Sequence, residues 1–274
     1  ASEYRNYILG FMFYRYLSEH QEKSMVENKV IDVAEDQSVN DAYKEQASGE
    51  DLNDYLEEIA SSLGYVIAPE YTWATIVDKV NNNTIAPSDY QDMLDSFNHN
   101  LSLNRNAKVD FHGIFDDMNL GNSRLGNSTS ARAKALTDIV NLVDQVEYRD
   151  ENGKDILGDI YTYLIKEFAG NSGKKAGEFY TPHQVSEVLA KLATSSLDPE
   201  LESPEVYDFA CGSGSLLLTV KDQLKNKVAQ KKLKYAGQEL NTTTYNLARM
   251  NLMMHDVRYQ NMTLKNADTL EMDW

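Results

Sequence analysis

Asp208, Gly212, Ser213, Gly214, Ser215 and Glu239 have the side-chain types to hold a small ligand at the end of a parallel sheet. Asp208 closes the short apolar run VYD and is followed by FACGSGSLL, so a strand pattern gives way to a Gly-x-Gly turn and then to helical spacing. Glycine places no side chain in the way, so backbone in such a turn can approach a ligand closely. Ligands of open parallel sheets bind beyond the carboxyl ends of the strands. A phosphate-cradling P-loop requires Gly-Lys-Ser/Thr, whereas Gly214 is followed by Ser215 and Leu216. The nucleophile elbow G-x-S-x-G is not matched either, because Gly212 and Gly214 flank Ser213 directly. Leu217 stands where a dinucleotide fingerprint has its third glycine, which weakens a nicotinamide or flavin ligand and leaves it open. Glu239 ends the next strand-like run, KYAGQEL, where a carboxylate can accept hydrogen bonds from a ribose. A nicotinamide enzyme would carry such an acid too, and a plain solvated carboxylate at a strand end has the same signature.

A second stretch, GEFYTPHQV, precedes the turn. Thr181 is placed to cap a helix, with Pro182 at its first position and Gln184 closing a capping box. Val185, Val188, Leu189 and Leu192 then form the apolar face of that helix. This accounts for Thr181 to Gln184 but gives no reason for the aromatic pair before them, Phe179 and Tyr180.

The elements around these residues fall into two groups. In EYRNYILGFMFYRYLSEH, Tyr4, Ile8, Phe11 and then Tyr14 or Leu17 recur at helical spacing, as a core stripe or a partner-docking face. Leu52, Leu56, Ile59 and Leu63 repeat the pattern, with Gly64 as a helix stop. TWATIVDKV and ARAKALTDIVNLVDQV are further helices, separated by an Asn/Ser/Gly-rich stretch that holds the apolar island FHGIFDDM. No alternating strand is evident up to the polar segment EYRDENGKD, residues 147–155, the best candidate boundary. The expected division is a helical domain over residues 1–152 and a second domain over 153–274. The second opens with a helix carrying Ile156, Ile160, Leu164 and Phe168 on one face. It continues with three strand-like runs, PEVYDFA, KYAGQEL and YQNMTLKNAD, separated by helical patterns. One of these carries Leu217, Val220, Leu224 and Val228, and the other Tyr245, Arg249, Leu252 and Met253. Such alternation predicts an α/β architecture with a parallel sheet and flanking helices.

The bulk properties exclude several classes. A net charge of -17, from 26 Lys+Arg against 43 Asp+Glu, gives no electrostatic footprint for solitary nucleic-acid binding, so any DNA contact needs another chain to supply much of the grip. The single cysteine, Cys211, excludes an internal disulfide framework and a multi-cysteine zinc site, and it suits a reducing cytoplasm. No run approaches the roughly 20 apolar residues of a membrane span, and no basic-then-apolar leader opens the chain. His20, His99, His112 and His255 lack ligand spacing. Lys221, Lys225, Lys231, Lys232 and Lys234 gather after the glycine turn, where positive charge offsets a helix dipole or offers a DNA-facing patch.

Taken in order, GKKAGEFYTPHQVSEVLAKL, DFACGSGSLL, GQEL and NADTL resemble the motifs of amino-methylating DNA methyltransferases. More narrowly the chain resembles the modification (M) subunit of type I restriction-modification systems. ASEYRNYILGFMFYRYLSE and GDIYTYLIKEFA are similar to that subunit's helical N-terminal domain and the helix entering its catalytic domain. The resemblance implies a Rossmann-like domain that binds S-adenosylmethionine across the strand ends. Phe179, Tyr180, Thr181 and Pro182, with Glu178 and His183 beside them, would contact the methionine end of the cofactor. Asp208 and the turn of Gly212, Ser213, Gly214 and Ser215 would hold its amino-acid portion, Glu239 its ribose hydroxyls, and Asp268 would lie beside the adenine ring. Phe209 departs from the proline such enzymes often carry after the first aspartate, and Cys211 acts as a small residue of the turn. The implied partners are a specificity (S) subunit, a second M subunit, a restriction (R) subunit and double-stranded DNA.

The family presents the flipped adenine with an Asn/Asp-Pro-Pro-aromatic segment. The five prolines here, Pro69, Pro87, Pro182, Pro199 and Pro204, include no adjacent pair. With a helix already under way at Ala1 and a strand-like run just before Trp274, the expectation is a fragment holding the helical domain and the cofactor half of the sheet. Two other classes remain open, a partner-docking module with a vestigial cofactor site and a nicotinamide-dependent oxidoreductase. Because the acceptor-presenting segment is missing, this polypeptide alone should transfer no methyl group. The measurement is incorporation of labelled methyl into adenine-containing DNA, and detectable incorporation overturns the expectation.

Overall fold

The computed structural model describes residues 4–149, 151, 155–171, 181–198, 200–272 and 274, with backbone alone at 169–171. It divides into two compact units, the first running to Tyr148 and the second from Arg149 to Trp274. The predicted boundary segment lies partly outside the described residues.

The described residues of the first unit form only helices and turns: α1 (Arg5–Glu27), α2 (Val39–Gln46), α3 (Leu52–Leu63), α4 (Trp73–Asn81), α5 (Asp89–Asn100), α6 (Lys108–Phe111) and α7 (Thr129–Asp144). The side chains of Ser38, Thr72 and Ser128 accept a backbone amide at the starts of α2, α4 and α7, satisfying donors that a helix start leaves unpaired. Gly64 closes α3 in the left-handed region at φ 86°. The aromatic residues of α1 belong to the core, but not as one stripe: Tyr7, Leu9, Phe11, Phe13, Tyr14 and Leu17 are all buried, and Tyr4 and Ile8 only partly. The helix runs through the middle of the unit and finds neighbours on nearly every side. The FHGIFDDM island supplies two of them, Phe115 against Phe13 and Tyr14 and Met118 against Gly10. Phe115 stacks edge-on against Phe97 at 5.1 Å, and Phe111 packs on Tyr65 at the same distance. Buried Gln21 pairs with both backbone groups of Ile67. The Arg15 guanidinium donates to the carbonyls of Val143, Asp144 and Val146. It thereby neutralises the carbonyl-rich end of α7.

The second unit holds α8 (Leu157–Asn171), α9 (His183–Thr194), β1 (Glu205–Asp208), α10 (Ser215–Gln223), α11 (Lys227–Lys232), β2 (Lys234–Glu239), α12 (Thr242–Met254) and β3 (Met262–Asn266). The strands form a parallel sheet in the order β1-β2-β3. Asp208 lies opposite Gly237, and Gly237 opposite Leu264. This is the strand-and-helix alternation expected from the sequence.

Four local expectations are corrected. Pro182 occupies the N-cap of α9 with ψ 138° and no side-chain cap is made, so Thr181 does not cap and no capping box closes. The extended ψ delays the helix by one residue. The predicted apolar face of α9 is exposed, with Val188 at 57% and Leu192 at 66%. The buried residues of α9 are Ser186 and Ala190, small ones, and α9 packs along α10. The helix expected to run from Leu217 to Val228 breaks, because the Asn226 side chain accepts the amides of Val228 and Ala229 and starts α11 afresh. Val228 is exposed as a result. In α8 the buried face is Leu157, Tyr161, Ile165 and Phe168, offset from the predicted row of Ile156, Ile160 and Leu164.

α8 and α12 approach closely at Gly158. A methyl group added there would lie 2.6 Å from the carbonyl oxygen of Met254, which is backbone and cannot swing aside. Relieving helical glycine is worth up to about 1 kcal/mol, while overpacking costs about 1–3 kcal/mol. Gly158→Ala should therefore lower the urea midpoint of the second unit, and a raised midpoint would contradict the close approach.

Candidate functional site

The site grows from the exits of β1 and β2. β1 ends at Asp208, and the chain turns through Gly212 and Gly214, both left-handed at φ 55° and 79°. Side chains other than glycine rarely adopt these angles. The turn is stitched to β2 by the Cys211 amide, which donates to the carbonyl of Gln238 at 2.9 Å, and closed on itself by the Gly214 amide, which donates to the carbonyl of Cys211 at 2.8 Å. Gly237 makes room beneath it: a Cβ there would sit 3.1 Å from the Cys211 thiol.

Glu239 spans the turn and its own strand exit. One carboxylate oxygen accepts the Gly212 amide at 3.1 Å, and the other accepts the Asn241 amide at 2.8 Å. Asn241 in turn caps α12. Asp208 accepts the amide of Ala210 at 3.0 Å. Burial, and after it the negative charge of Glu239, raises the Asp208 carboxyl above its ordinary value, although the Ala210 bond pulls the other way. Two carboxylates thus flank one glycine turn. α10 begins on Gly214 with no side-chain cap, which leaves the donors of a helix start for an anionic group.

This donor set fits a ligand with hydroxyl or cationic groups beside the acids and a carboxylate at the helix start. It fits a pyrophosphate poorly, since phosphate oxygens would meet Asp208 and Glu239. Leu217, where a dinucleotide site has glycine, is completely buried.

The remaining predicted residues are placed less closely. Asp268 follows β3 and accepts the Leu270 amide at 2.9 Å. Its neighbour Thr269 donates to the carbonyl of Phe209, next to Asp208, so the exits of β1 and β3 share one end of the sheet. Thr181 precedes α9, Pro182 caps it, and His183 is exposed with Nε2 4.0 Å from Glu187. Glu178, Phe179 and Tyr180 lie outside the described residues. Asn241 and Asn266 were not anticipated. The Asn266 amide nitrogen donates to the carbonyls of Glu239 and Leu240 at 2.8 and 2.9 Å, fixing the exit of β2. The Asn-x-x-Thr spacing at 241–244 was the available capping signal. Among the described residues no group of His, Cys, Asp and Glu could hold a metal ion. No helix among them is long and apolar enough to cross a membrane.

Comparison with known families matches residues 1–143 to the HsdM N-terminal domain and residues 152–274 to the N-6 DNA Methylase family. The chain belongs to the methylase subunits of type I restriction enzymes. It is 34% identical over 276 aligned positions to the MpnII methylase subunit of Mycoplasma pneumoniae, covering 98% of this chain and 49% of that protein. The crystal structure of a type I restriction-modification methyltransferase subunit from Streptococcus thermophilus matches with a TM-score of 0.83 at 32% identity, over 99% of this chain and 55% of that one. A modification subunit of a putative type I restriction enzyme from Vibrio vulnificus, at 19% identity and a TM-score of 0.50, shares the fold. The chain therefore spans about half the length of these methylase subunits.

Within the site of this methylase-family chain, Cys211 is 5% exposed. Burial first, then the charges of Asp208 and Glu239, push its thiol up to about 12. The nucleophile is the thiolate, so a thiol held protonated has no nucleophilic role at neutral pH. Iodoacetamide at pH 8 should alkylate Cys211 in the folded chain at least ~100-fold more slowly than in urea, where the thiol returns to a pKa of about 8.5. Equal rates would contradict a buried, protonated thiol.

Proposed function

We propose that the protein of which these residues form part methylates the exocyclic amine of adenine in DNA, with S-adenosylmethionine as methyl donor. In this reading it acts as the M subunit of a type I complex. The observation that carries the proposal is the pair of carboxylates, Asp208 and Glu239, around a left-handed glycine turn at the carboxyl ends of adjacent parallel strands. Bound there, S-adenosylmethionine supplies an electrophilic methyl group on a sulfonium.

The chain's own residues bind and orient. Glu239 accepts hydrogen bonds from ribose hydroxyls while its bonds to Gly212 and Asn241 hold it in place. Asp208, whose carboxyl is held above its ordinary value by burial and then by the charge of Glu239, would pair with the ammonium of the methionine portion. The amides at the start of α10 take the methionine carboxylate. Asp268, at the same end of the sheet, lies beside the adenine ring. Glu178, Phe179, Tyr180, Thr181, Pro182 and His183 complete the methionine end. The acceptor-presenting Asn/Asp-Pro-Pro-aromatic segment is absent from these residues, so base flipping and amine orientation belong to sequence outside them. A specificity subunit, a second M subunit, a restriction subunit and double-stranded DNA are the proposed partners. A net charge of -17 supports a subunit that delegates much of its DNA contact.

Calorimetric titration with S-adenosylmethionine and with NAD, side by side, tests the reading. Uptake of the first and not the second is expected. Asp208→Asn should weaken binding about tenfold or more, as for loss of a hydrogen bond between charged groups, ~1.5–3 kcal/mol. Binding of NAD alone would sink the proposal.

A further inference from the structure

Asn251 lies in α12, in the layer beneath the glycine turn, and has no solvent exposure. Its Nδ2 donates to the carbonyl of Ser213 at 2.9 Å. Its Oδ1 accepts the hydroxyl of Thr162, on α8, at 3.0 Å. The peptide unit between Ser213 and Gly214 is thereby held at both ends, its oxygen by Asn251 and its N–H by the carbonyl of Cys211 at 2.8 Å. That restraint matters at this position. Gly214, on the C-terminal side of this peptide, lacks a Cβ, so on that side the unit can rotate with little steric resistance. Rotation of this unit would reverse a carbonyl and an amide at the very start of α10. α12 itself is braced from behind, since Tyr161 donates to the Met250 sulfur at 3.0 Å and Gly158 admits the Met254 carbonyl.

We infer that Asn251 is a positioning residue for the cofactor turn: it locks the Ser213–Gly214 peptide so that the turn and the α10 start are set before ligand arrives, with Thr162 fixing which way the amide of Asn251 points. The inference rests on the binding role proposed above for the Gly212–Ser215 turn. Among the described residues the Asn251 side chain hydrogen-bonds a backbone carbonyl and a hydroxyl, so its effect on ligand acts through the turn. An apolar side chain in its place would leave a carbonyl and a hydroxyl without these partners, and a preorganised site would become one that must be ordered on binding.

The test compares the 274-residue chain with its Asn251→Ala and Thr162→Val variants by calorimetry with S-adenosylmethionine, by hydrogen exchange and by thermal melting. Asn251→Ala should bind about tenfold or more weakly. Exchange at Gly212 and Gly214 should quicken while the amides of β2 keep their protection. Thr162→Val should shift both readouts in the same direction by less. An Asn251→Ala chain that melts like the wild type and keeps its affinity overturns the inference, as does faster turn exchange with no loss of affinity. If Asn251→Ala does not fold, Thr162→Val decides alone, and unchanged affinity and exchange in that variant overturn the inference. If the wild-type chain binds no S-adenosylmethionine, the proposed function fails instead, and the exchange comparison still decides the lock: unaltered protection of Gly212 and Gly214 overturns it.

Discussion

The amide protons of Gly212 and Asn241 converge on one carboxylate, that of Glu239. This is the interaction on which the site depends, because it joins what leaves β1 to what leaves β2. A parallel sheet delivers its strand exits side by side but does not by itself decide how each chain turns away. Here the first exit must pass through two left-handed residues to start α10, and the second must start α12 directly. A single acid fixes both. The cost falls on the buried groups beside it: burial first, and then the charge of Glu239, raises the carboxyl of Asp208, and burial followed by both acids raises the thiol of Cys211. Two carboxylates at the strand ends are a chemistry that phosphate-binding loops of similar sequence would not favour, since like charges repel.

Close approach through small residues is the second recurring device. Gly158 lets α8 meet the backbone of α12, Gly237 lets β2 pass under Cys211, and Ser186 and Ala190 are the buried residues of α9. In the first unit Gly10 serves α1 in the same way, since a methyl there would collide with the sulfur of Met118. Large aromatic residues fill the core of that unit, whereas backbone contacts shape the second. Packing against backbone transmits position more faithfully than packing against flexible side chains. That is the property required where a turn must be held to fractions of an ångström.

Much of this was legible in the sequence, for identifiable reasons. The switch from helical to strand spacing located β1, β2 and β3, and the Gly-x-Gly after Asp208 located the turn. The errors share a cause as well. Periodicity reports that a helix has an apolar face but not which face finds a neighbour, so spacing alone points to the wrong buried side of α9 and to too narrow a one for α1. The Asn226 break was masked because Leu224 and Val228 keep helical spacing across it. Asn251 was invisible. A buried amide inside the run RMNLMM looks like an ordinary helix residue until the carbonyl it reaches, 38 positions earlier in the chain, is seen beside it. Nothing local encodes such a pairing.

The parallel register has a consequence for the order in which the cradle comes into being. β1 cannot pair until β2 has been made, and Glu239 follows Gly212 by 27 residues. Helices α10 and α12 can form from neighbours alone on a submicrosecond scale, but the strand pairs must first close loops around them, which is the slow part of folding. On a chain emerging from the ribosome, the turn passes through a period in which its glycines are present and unrestrained. It acquires its shape only when the second strand arrives. The candidate site is then a late product of folding, and a ligand that bound it would stabilise the finished sheet by mass action without assisting its assembly.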